Sequence, residues 1–132
     1  FGAERSGAPI RAFSRFSSQP LTIHCAVYEP DVVVIFDPTL IGVIDMTEGL
    51  KSKGVVVANT GLTPAELRQQ MGLGEATRVY TVDATRIAMD TLGRNIPNVP
   101  MVGALLRAVG VVHGWNLRFL RACPSSPHRL QR

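Results

Sequence analysis

Chemistry in this chain has to come from a few short polar runs, of which Asp37-Pro38-Thr39, Asn59-Thr60-Gly61 and Asp83-Ala84-Thr85 are the clearest. Each follows an apolar, β-branched stretch, and ligands of open α/β sheets gather at the carboxyl ends of the strands. Asp37, Thr39, Asn59, Thr60, Asp83 and Thr85 are therefore the strand-end candidates. The same residue types cap the helix that follows a strand, and capping is the reading the sequence favours for all three runs. A second place is the N-terminal loop, where Glu4 and Arg5 stand among Gly2, Ser6 and Gly7, putting charge on a backbone free to approach a ligand or another chain. Asp45 and Glu48 are close in sequence but lie on an expected helix or turn, and with no second acid known to be near either in space they make no catalytic pair, so a solvated face is expected there.

Self-contained catalysis finds little support. The sequence contains no Gly-x-Gly-x-x-Gly, no Gly-Lys-Ser/Thr phosphate loop, no His-Glu-x-x-His, no Gly-x-Ser-x-Gly and no Cys-x-x-Cys. Cys25 and Cys123 are too few and too far apart for a zinc knuckle, an iron–sulfur cluster or a disulfide framework, so no metal site is expected. Cys25, in the apolar run Leu21 to Val27, reads as an inert packed thiol, and His24 beside it as a strand residue.

The elements that must position these groups alternate. Val32 to Phe36 is a continuous apolar, β-branched run, the pattern of a strand buried on both faces, and the signature returns in Gly54 to Ala58 and more weakly in Arg78 to Val82. Ile10 to Phe16 has a broken period of two and reads as an edge strand. Helices are expected near Leu40 to Leu50, over Thr63 to Met71, from Ala84 to about Leu92 with Gly93 as its stop, and from Met101 to Val109 after a proline-set loop. Thr63, Pro64 and Glu66 form a capping box with proline in the first turn. The pattern predicts an α/β, three-layer domain with a largely parallel central sheet.

With 132 residues and 45% hydrophobic content, one domain with one core is expected. No run nears the ~18 apolar residues of a spanning helix, and no signal-peptide layout is present, so neither a membrane span nor export is expected and the cytoplasm is the default. The net charge of +4 does not predict nucleic-acid binding: basic and acidic residues cancel over 1–112, and Arg118, Arg121, Arg129 and Arg132 supply the whole excess. The domain is accordingly placed at 1–112. The expectation for 113–132 is an atypical basic tail, poorly structured, produced by a frame change or truncation. A start at Phe1 within a loop-like run suggests that sequence is missing upstream.

Four segments together carry a family resemblance: Phe1-Gly2-Ala3-Glu4-Arg5-Ser6-Gly7-Ala8-Pro9 and on to Phe13, Glu29 to Leu40, Thr47 to Thr60, and Val82 to Ala88. The loop and helix Asn95 to Leu105 extend it. In order and content they resemble the gamma subunit, or catalytic domain, of the 2-oxoacid:ferredoxin oxidoreductases. Relative to that family, the chain lacks the first strand and its Gly-rich turn and departs after Val112.

The resemblance implies a subunit, inactive alone, of an assembly that oxidatively decarboxylates a 2-oxoacid, pyruvate in the first instance, to acyl-coenzyme A and CO2 and passes electrons to ferredoxin. It implies thiamine pyrophosphate and iron–sulfur clusters in partner subunits, coenzyme A as co-substrate, and Glu4, Arg5 and Gly7 in a loop facing the partner and the coenzyme A side. The alternatives are the same family acting on branched-chain, aryl or 2-oxoglutarate substrates, and a free-standing nucleotide-binding α/β module, which the missing glycine fingerprint disfavours.

Overall fold

The computed structural model describes residues 9–22 and 25–110. Three strands, β1 (Val32–Ile35), β2 (Val55–Asn59) and β3 (Arg78–Val82), pair side by side in that order, and both pairings are parallel. Val32 aligns with Val55, and Val55 with Arg78. β2 is buried along its whole length because alternate side chains of a strand point to opposite faces and both faces are covered. Val56 and Ala58 join Ile35, Ile41 and Leu67 in one apolar cluster, whereas Val55 and Val57 join Ala84, Met101 and Ala108 in a second. The helix α1 (Pro64–Gln70) supplies Leu67 to the first face; α2 (Ala84–Leu92) and α3 (Asn98–Val109) supply the second. The result is the three-layer α/β arrangement that the alternation predicts.

Local rules place the helix ends. Thr63 caps α1 and Pro64 opens it. The capping box is closed by Thr63 N donating to Glu66 Oε2 at 2.8 Å and Glu66 N donating to Thr63 Oγ1 at 3.3 Å. Those bonds from the Thr63 backbone and then its hydroxyl hold the Glu66 carboxyl below its ordinary value of 4.5. A carboxyl whose pKa falls on folding stabilises the fold fully above its unfolded value and loses that contribution as pH drops through the lowered one. Glu66→Gln is accordingly expected to lose less of its melting temperature than the parent between about pH 5 and about pH 3, followed by circular dichroism; equal acid limbs would contradict the box.

Four expectations are corrected. Residues 10–16 form no strand: all three strands of the sheet pair only with one another, and the segment is held instead by Arg15, which donates to Cys25 O at 2.6 Å and Ala26 O at 3.0 Å. Cys25 is exposed rather than packed, and the described residues around it belong to no strand. The helix expected over 40–50 is a single 3₁₀ turn, Pro38–Leu40, followed by turns in which Gly42 and Gly49 take φ of +80° and +76°, incompatible with a right-handed helix. α3 starts at Asn98, not Met101, because Pro100 falls in the first turn, where a missing N–H costs no helical bond. His24, Glu4, Arg5, Gly7 and the tail at 113–132 lie outside the described residues.

Candidate functional site

Because the strands are parallel, the polar runs after β1, at the end of β2 and after β3 share one edge of the sheet. Asn59 ties them together. Its side chain, 2% exposed at the end of an otherwise apolar strand, donates from Nδ2 to Phe36 O and to Thr85 Oγ1, each at 2.9 Å. Its Oδ1 accepts from Thr85 N at 3.2 Å. One amide thus joins the exit of β1, the end of β2 and the first turn of α2, and a buried amide needs such partners.

Asp37 and Asp83 do what the capping reading expects, whereas the run at 59–61 does not, because α1, the helix that follows β2, is capped by Thr63. Asp37 Oδ1 accepts from Thr39 N at 2.9 Å and from Thr39 Oγ1 at 2.7 Å, and these two bonds, the hydroxyl's first, hold the exposed Asp37 carboxyl below its ordinary range. Asp83 Oδ1 accepts from Arg86 N at 3.0 Å, capping α2. Thr60 N donates to Val82 O at 3.0 Å, and its hydroxyl accepts from Leu62 N. Two first-turn N–H groups of α2, those of Thr85 and Arg86, are therefore already bonded by Asn59 and Asp83. That helix end is a braced junction with acidic flanks rather than a vacant anion cradle.

Sequence reasoning placed Asn59 at this edge and missed that it is the centre of the cluster. The cue was present: an amide that closes a Val-Val-Val-Ala run must be hydrogen-bonded inside the core. Sequence reasoning also gave no cavity, and the structure has an open one of about 380 Å³ between the loop at 42–47 and the end of α1. Its carboxylate, Asp45, has Oδ1 bonded to Thr47 N and Oγ1. Among the described residues no three His, Cys, Asp or Glu side chains come together to hold a metal, and no helix is long and apolar enough to cross a membrane. Iron–sulfur clusters need several thiolates and a metal-bound diphosphate needs converging oxygen ligands, so the described residues fit neither.

The chain belongs to the pyruvate ferredoxin/flavodoxin oxidoreductase family, which matches residues 1–118, as the resemblance of the four segments implied.

Within that family, the chain is 44% identical over 112 residues to the pyruvate/ketoisovalerate oxidoreductases common subunit gamma of Thermococcus litoralis, covering 85% of this chain and 60% of that protein. It is 45% identical over 112 residues to pyruvate synthase subunit PorC of Methanocaldococcus jannaschii, covering 85% and 58%. The crystal structure of pyruvate oxidoreductase subunit PORC from Thermotoga maritima superposes with a TM-score of 0.58 at 40% identity, over 65% of this chain and 47% of that one. The chain spans about three fifths of the length of the curated relatives it matches.

Proposed function

We propose that the chain is the gamma-type subunit of a 2-oxoacid:ferredoxin oxidoreductase, with 1–112 as its domain and pyruvate as the first substrate. The observation that carries this reading is the identity of 44–45% to gamma and PorC subunits over 112 residues, which include the whole described sheet. The complex converts the 2-oxoacid and coenzyme A to acyl-coenzyme A and CO2, with the electrons passing to ferredoxin in the cytoplasm. Thiamine pyrophosphate and the iron–sulfur clusters reside in partner subunits, in keeping with a chain that has two cysteines in all. This chain's part is positional: the braced strand ends fix the domain, and the loop with Glu4, Arg5 and Gly7 faces the partner and the coenzyme A side. Arg5 suits that place because a guanidinium pairs with phosphate oxygens in two-pronged fashion.

Activity requires the assembly. In the reconstituted complex, Glu4→Ala and Arg5→Ala are expected to lower turnover or coenzyme A affinity while the subunit's melting stays within ~0.5 kcal/mol of the parent, the range for substitutions that touch no cap or core. Parent-like turnover in both variants would reduce the loop to a linker. A second reading, one subunit serving several 2-oxoacids, is favoured by the relative named as common to pyruvate and ketoisovalerate enzymes. Under it, the chain combined with different partner subunits supports turnover of both acids.

A further inference from the structure

We draw no further inference here: the strongest candidate, the exposed apolar surface of the segment at 9–22, with Ile10, Phe13, Phe16 and Leu21 on a stretch that Arg15 ties to Cys25 O and Ala26 O, lies on a chain that spans about three fifths of its relatives' length, and nothing in the structure shows what covers it.

Discussion

Asn59→Ala is expected to lower the unfolding free energy by about 3 kcal/mol and the melting midpoint by about 10 °C. The substitution removes one side chain but strands several groups: Phe36 O loses its Nδ2 donor, and Thr85 loses the partners of both its N–H and its hydroxyl. Leaving a buried donor or acceptor unmet costs about 1–3 kcal/mol, more than a simple hydrogen bond contributes. Asn59→Asp sharpens the test because its shape is conserved and its donor is not. At neutral pH a buried carboxylate faces the Phe36 carbonyl, so its folded pKa is raised, and stability should be recovered as pH falls and the protonated carboxyl donates again. Urea unfolding of both variants across pH measures this. A loss under 1 kcal/mol in the alanine variant would show that the junction does not depend on the amide.

Gly49→Ala is expected to cost at least as much, about 3 kcal/mol or more, for a different reason. Gly49 has φ of +76°, and a Cβ there would overlap Tyr28 O while lying 3.2 Å from Tyr28 C and 3.8 Å from Pro30 Cδ. The obstacle is backbone, which cannot rotate aside. Gly72→Ala supplies the control, because Gly72 has φ of +63° with nothing within 4 Å of the added carbon. It should show the left-handed strain alone, roughly 1–2 kcal/mol. The difference between the two melts isolates the contact between the 49 turn and the segment entering β1, and equal melts would deny that contact.

What could be read from the sequence divides by range. Thr63, Pro64 and Glu66, or Asp83 and Gly93, act on neighbours within a turn, so their residue types suffice. The Val55 to Ala58 run reveals a strand covered on both faces, since no alternation is left to read. By contrast, Ile10 to Phe16 has strand-like residues, but a strand exists only with a neighbour, and hydrogen-bonding partners lie elsewhere in the chain. The stretch at 40–50 has helical spacing of apolar residues that two glycines in left-handed conformation override. For the site, sequence pattern put six polar residues on one edge without revealing that Asn59 links three elements, because its partners stand 23 and 26 positions away. Family membership was legible because it needs only the order of segments, not their contacts.

The register of the sheet carries a consequence for how the chain folds. Val32 pairs with Val55, and Val55 with Arg78, so each pairing closes a loop of the same length, 23 positions. Loop-closure entropy then gives neither pairing precedence. Both need β2, and so do both apolar clusters, which share no residue except through the two faces of that strand. Neither face of the domain can be completed without the central strand, and that strand is buried along its whole length only when both sides have arrived. The parallel topology thus makes five residues, Val55 to Asn59, the common requirement of both faces. During synthesis those residues emerge before β3, α2 and α3, so the most deeply buried strand of the sheet waits for partners that have yet to leave the ribosome.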